Sequence, residues 1–271
     1  MWEFTSNHSK HIHLHKTIIL LYQINMTKPV ALLTIFLFTF GALHAQQKTP
    51  KFFAEISTGA SIPIGQFAGK DFNGPFEKDQ QGLAQVGQAL SATLGYHLKE
   101  NAGLLLSVGY SVNKQSPKSY TEYIKRSIDR FPAEYDVESW KILKVLAGGF
   151  LITPLTEGKL NLVTKLSAGI FKTRIPASIL VGNLPDGTPA LAIFKDGEPL
   201  PVTFCYQIGL GLQYMLNERL HLLLDINSFN GTVNKDYKLQ LPGGGTTVTY
   251  TGDRKYKFGA VNALVGVGVS F

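Results

Sequence analysis

Between Lys51 and the end of the chain, apolar and polar positions alternate with a period of two in seven separate stretches, and an eighth is apolar in both phases. The clearest runs from Val202 to Tyr214. Val202, Phe204, Tyr206, Ile208, Leu210, Leu212 and Tyr214 share one phase; Thr203, Cys205, Gln207, Gly209, Gly211 and Gln213 share the other. The last stretch does the same: Val261, Ala263, Val265, Val267, Val269 and Phe271 alternate with Ala260, Asn262, Leu264, Gly266, Gly268 and Ser270. Side chains point to opposite faces along a strand, so each stretch predicts a β-strand with one apolar face and one small or polar face. Five other stretches repeat the pattern, beginning at Phe52, Val86, Leu104, Leu160 and Leu220. The stretch from Ser139 to Ile152 is apolar in both phases. There we place Leu143, Val145, Ala147 and Leu151 on the apolar outer face, because this turns Lys144 inward.

The connections alternate short and long. Short ones follow the second, fourth and sixth strands, at Lys99–Ala102, Thr153–Gly158 and Met215–Glu218; long ones span Gln66–Gly82, Gln115–Glu138, Pro176–Pro201 and Gly231–Arg254. Apolar-out, polar-in strands joined this way predict an all-β fold, an eight-stranded antiparallel up-and-down transmembrane β-barrel. Lipid offers no hydrogen bonds to a bare strand edge, so the first strand must pair with the last. Mean hydropathy is only +0.05, as expected when hydrophobicity resides in alternate residues.

The leader changes the picture of location. Met26 opens a segment with Lys28 at its positive end, an apolar run from Val30 to Phe40 and a small-residue region from Gly41 to Ala45. That is the layout of a secretory signal peptide over residues 26–45, with cleavage between Ala45 and Gln46. Residues 1–25 then form an extension from an upstream start, including His8, His11, His13 and His15, and residues 46–271 form the barrel domain. The net charge is +7; beyond residue 45 there are 23 Lys and Arg against 18 Asp and Glu, a net +5. The basic residues are scattered and form no stripe, so nucleic acid is not an expected partner. A single cysteine, Cys205, allows no intramolecular disulfide.

In its leader ending Ala45-Gln46, its opening Gly59-Ala-Ser-Ile-Pro-Ile-Gly65, its Leu94-Gly-Tyr96 and Ser107-Val-Gly-Tyr110 pieces and its terminal Phe271, the chain resembles the small outer-membrane β-barrels of Gram-negative bacteria. That family includes eight-stranded OmpA- and OmpX-like barrels and PorT-type proteins. The resemblance implies an outer-membrane location, contact with outer-membrane lipid, and recognition of Phe271 by the assembly machinery during biogenesis. The PorT likeness implies an accessory part in secretion.

Four charged residues fall in the inward phase: Glu55, Lys144, Lys165 and Asp225. An eight-stranded interior is about wide enough for side chains to fill it, and buried charges of both signs are expected to pair there. The expectation is a plugged lumen and action through the outer loops, as a binding, structural or secretion-accessory component. The alternative is a narrow porin-like channel for small solutes. His97 and His221 lie near the short turns with no nucleophile beside them in sequence, so neither an enzyme nor a cofactor or metal is expected. Three loop segments stand out as candidate contacts for a surface or envelope partner: Tyr120–Phe131, Ile179–Phe194 around Pro185-Asp-Gly187, and Tyr237–Tyr250 around Pro242-Gly-Gly-Gly245.

Overall fold

The computed structural model describes residues 50–69, 78–118, 121–122, 133–156, 159–183, 189–194, 197–243 and 246–271. The leader with Ala45 and Gln46, and nearly all of Tyr120–Phe131, lie outside these. In chain order the strands are β1 (Phe52–Pro63), β2 (Asp79–Gln80), β3 (Gly87–Lys99), β4 (Ala102–Asn113), β5 (Ala133–Val137), β6 (Trp140–Pro154), β7 (Leu160–Lys172), β8 (Ser178–Asn183), β9 (Pro189–Phe194), β10 (Thr203–Met215), β11 (Leu220–Gly243) and β12 (Thr246–Ser270).

Eight of them form a ring in the order β1-β3-β4-β6-β7-β10-β11-β12, closed by antiparallel pairing of β12 with β1 from Phe53↔Ser270 to Pro63↔Ala260. Each neighbour in the ring is the next long strand in the chain, so this is the up-and-down all-β barrel. Closure leaves neither long edge strand without a partner. The two-residue β2 adds to β12 in parallel.

Alternation sorts the residues. Outward lie Leu90, Leu94, Leu104, Leu106, Leu166, Ile170, Phe204, Ile208, Leu210, Leu224, Ile226, Val265 and Val267, all exposed. Inward lie both the polar set and a second apolar set that fills the interior. In β6, Trp140, Ile142, Leu146 and Phe150 are buried while Leu143, Val145 and Leu151 are exposed. Its two apolar phases thus serve two surroundings, outer wall and packed lumen.

The barrel has two unlike ends. Tight connections join β3–β4, β6–β7 and β10–β11 at the end that also holds Phe52 and Ser270. At the last of these, Asn217 Oδ1 accepts hydrogen bonds from the backbone N–H groups of Arg219 (2.9 Å) and Leu220 (2.8 Å), a local Asx closure. At the opposite end β11 and β12 stay paired to Gly243↔Thr246, far past the last contact of β11 with β10 at Cys205↔Gly231. They form a long two-stranded ribbon. β5, β8 and β9 make a separate antiparallel sheet from two of the long connections. This outer structure is tied together: Glu138 N–H donates to the Ala177 carbonyl (2.9 Å), Arg174 pairs with Glu138 (3.3 Å), and Lys235 pairs with Glu198 (2.6 Å).

Candidate functional site: a filled lumen beneath an outer platform

The lumen is built in three layers. At the turn end, Phe53, Leu105, Phe150 and Val163 form an apolar cluster. Phe53 and Phe150 meet edge to face with ring centroids 5.2 Å apart, and the His97 ring lies 5.4 Å and 5.1 Å from them. At the loop end, Trp140, Ile142, Leu146, Phe171, Phe229, Val233, Tyr256 and Phe258 form a larger cluster with Cys205, which is fully buried.

The first long connection completes this upper seal. Its 3-10 turn at Gly65–Ala68 puts Phe67 against Trp140 and Phe258, with centroids 5.9 Å and 5.2 Å away. Trp140 Nε1–H donates to the Gly82 carbonyl at 2.8 Å, and Asn113 Nδ2 donates to the carbonyls of Ser61 (3.1 Å) and Gln85 (3.0 Å). Leu83, which is buried, holds φ +50, a left-handed conformation uncommon for leucine. The described flanks of this connection, residues 65–69 and 78–84, therefore lie over the mouth of the barrel.

The polar layer lies between the two clusters. Lys165 Nζ on β7 donates to Glu55 Oε2 on β1 at 3.3 Å and stands 3.6 Å from Asp225 Oδ1 on β11. β7 and β1 are four strands apart in a ring of eight, so this ion pair crosses the full diameter. Asn227 Nδ2 donates to Asp225 Oδ2 (3.2 Å), and Asn262 Nδ2 donates to Asn227 Oδ1 (2.8 Å). The residual cavity beside this layer is about 10 Å³, close to what one water molecule occupies.

Three of the four charged residues read from the sequence, Glu55, Lys165 and Asp225, meet in this cluster. Lys144 does not join them. Its Nζ donates to Gln207 Oε1 at 2.6 Å and lies 4.8 Å from the centre of the Phe229 ring, a cation–π contact that links it to the upper layer. Its stem lies over Gly109, where a Cβ would fall 2.5 Å from Lys144 Cε.

His221 is the residue that sequence reasoning missed. Its Nε2 lies 3.2 Å from Glu55 Oε1. An ionised carboxylate only accepts, so Nε2 carries the proton. The contact is made by a third residue. Gly268 stands opposite both Glu55 and His221 in the ladders, and a Cβ there would fall 2.1 Å from His221 Nε2. The missing side chain lets the imidazole lie over β12 and reach β1. Glu55 and His221 are 166 residues apart, so spacing carries no hint of the pair. The inward phase of all three residues was the available signal. A histidine oriented by a carboxylate can serve as a base, but this one is enclosed by Phe53 and the strand wall, with Phe53 6.5 Å away. Among the described residues, no group of three or more His, Cys, Asp and Glu side chains is placed to hold a metal.

Outside the lumen, Lys78 and Asp253 form an exposed ion pair at 2.7 Å that fastens the β2 segment to the ribbon. The hydrogen bond and charge of Lys78 hold the Asp253 carboxyl below its usual range, and Asp253 raises Lys78 in turn.

No family model and no curated protein matches the chain. Solved structures do resemble it at low sequence identity. Neisserial surface protein A is 9% identical over 81% of this chain and 97% of its own, with a TM-score of 0.40. The outer membrane protein OprG from Pseudomonas aeruginosa is 13% identical over 83% and 97%, with a TM-score of 0.44. Ail, the attachment invasion locus protein of Yersinia pestis, crystallised with the heparin analogue sucrose octasulfate, is 14% identical over 82% and 99%, with a TM-score of 0.36.

Proposed function

We propose that the chain is an integral barrel of the Gram-negative outer membrane, with a side-chain-filled lumen, that acts through its outer platform as a binding or structural component. The observation that carries this is the inversion of the usual arrangement. Leucine, isoleucine and valine cover the outer wall, while a diametric ion pair and its hydrogen-bonded partners occupy the centre. In water such an outer wall would be far beyond the apolar patch that a soluble monomer exposes. Barrel strands of 12 to 15 residues, in β1, β3, β4, β6, β7 and β10, exceed the 9–11 residues that a tilted strand needs to cross a bilayer.

Aromatic seals above and below the polar layer weigh against a solute channel. The long ribbon and the β5-β8-β9 sheet offer a hydrogen-bonded base for loops, the usual seat of binding. A secretion-accessory role, which the PorT resemblance implies, falls within this reading, with the partner meeting the ribbon. Phe271, the residue after β12, is the proposed assembly signal. Its deletion should lower the inserted fraction in cells while leaving refolding in detergent near normal; equal insertion in cells would remove that role.

The experiment for the main reading is planar-bilayer recording with the refolded wild type, beside cross-linking on intact cells from a residue of the ribbon. We expect negligible unitary current and a discrete cross-linked partner. Stable, large currents would overturn the filled-lumen reading.

A further inference from the structure

A groove of about 460 Å³ lies on the outer wall at the foot of the ribbon. It exists because the ribbon parts from both neighbours. β10 leaves β11 at Cys205↔Gly231, and β1 leaves β12 after Pro63↔Ala260, with one more backbone hydrogen bond from Ile64 N–H to the Gly259 carbonyl (2.8 Å). Ile64, Phe204 and Tyr206, all exposed, wall the groove and continue the apolar surface of the strands below. Gly259 forms part of its floor. A Cβ there would meet Ile64 Cγ1 at 3.1 Å, so a larger residue would intrude on the space.

Lys257 and Thr232, cross-strand neighbours, stand on the loop side. Lys257 is exposed and has no carboxylate partner among the described residues, in contrast to Lys78, Arg174 and Lys235, each of which is paired. Lys141 and Lys172 also face outward at the loop-end termini of β6 and β7 with no such partner among the described residues. The groove therefore joins an apolar trough to an uncompensated cation, at the level where an apolar wall gives way to water.

We propose that this groove seats a phosphorylated lipid of the surrounding leaflet, its chain against Ile64 and Tyr206 and its phosphate at Lys257. The inference rests on the membrane reading above. Charge complementarity selects an anionic headgroup, and continuity with the apolar wall selects a lipid over a soluble anion. Lysine at a membrane surface attracts such headgroups, each contributing about a fivefold gain in retention.

The test is native mass spectrometry of barrels released from nanodiscs holding equal amounts of a diphosphorylated glycolipid, its dephosphorylated form and phosphatidylcholine. Wild type, Lys257→Gln, Gly259→Val and the turn-end control Lys99→Gln are compared. Heat-modifiable electrophoretic migration first establishes that each is a folded barrel. Failure of the wild type there would count against the membrane reading itself, separately from the lipid seat. The expected result is one diphosphorylated lipid retained by wild type and by Lys99→Gln. Retention should fall about fivefold in Lys257→Gln, and it should also fall in Gly259→Val. Equal retention of the dephosphorylated form, or unchanged retention in Lys257→Gln, would overturn the proposal. So would a second copy of the chain, rather than a lipid, occupying the groove and being lost in Gly259→Val.

Discussion

Single residues carry the interior. Lys165 is the only ammonium within 4.0 Å of Glu55 and Asp225 among the described residues, and all three side chains are at most 10% exposed. Removing one member of such a group leaves buried charge without compensation, which costs about 3–5 kcal/mol. Lys165→Met should therefore lower the denaturant midpoint sharply, as followed by fluorescence of Trp140, the one tryptophan beyond Trp2. Adding Glu55→Gln and Asp225→Asn should restore much of the loss, because no unpaired charge then remains. A second residue-scale test concerns Gly268. A Cβ at 2.1 Å from the His221 ring must displace it from Glu55, and overpacking of this kind costs about 1–3 kcal/mol. Gly268→Val should destabilise the wild type by that amount but do so much less in a His221→Ala background. Additive losses in that double-mutant cycle would show that the two residues do not share the space.

At the scale of elements, the ribbon and the barrel wall have different sources of stability. Below Cys205↔Gly231, β11 is paired on both sides and presents Leu223, Asp225 and Asn227 to the lumen. Just above it Val233 and Tyr256 still pack into the upper cluster; farther out, the ribbon's described contacts are β11–β12 pairing and ion pairs such as the exposed Lys78–Asp253. Exposed pairs add little. Excising residues 237–252 and closing the chain with a two-residue turn should leave heat-modifiable folding intact while abolishing partner cross-linking. Loss of folding would instead mean that the ribbon nucleates closure. The first connection should behave in the opposite way. Phe67 and Trp140 are buried together, so Phe67→Ala should cost about 3–5 kcal/mol, as a wall residue would.

For the whole molecule, an even number of ring strands brings the start of β1, the end of β12 and all three short turns to one side. On the membrane reading proposed above, delivery from the periplasm would leave the ribbon and the β5-β8-β9 sheet facing outward. Single cysteines at Asp136 and Thr251, introduced in a Cys205→Ser background, should react with an impermeant maleimide on intact cells. A cysteine at Glu100, in the β3–β4 turn, should react only after the outer membrane is opened. The reverse pattern would invert the topology and remove the outer platform as the place of function.

The amino-acid order by itself determined the eight barrel strands and, for all but β6, their two faces; β2 and β5 carried no such signal. Period-two alternation is a local property, and pleating converts it directly into inside and outside: Phe204 to Tyr214 on one phase and Cys205 to Gln213 on the other needed no tertiary information. Alternate short and long connections were likewise enough for an up-and-down ring. Only the tertiary structure decided which inward residues meet. Glu55, Lys165, His221 and Asp225 converge because closure sets β1 beside β12 and opposite β7, and ring geometry has no trace in local periodicity. The same holds for Lys144, which shares the inward phase but reaches Gln207 and Phe229 instead. Gly268 could be read as small and inward, but its meaning came from the ladder that puts Glu55 on one side and His221 on the other. The fold-back of Phe67 was also invisible, because a loop's path depends on the aromatic mouth it fills. Alternation records what each residue faces; closure and shear decide which residue it faces.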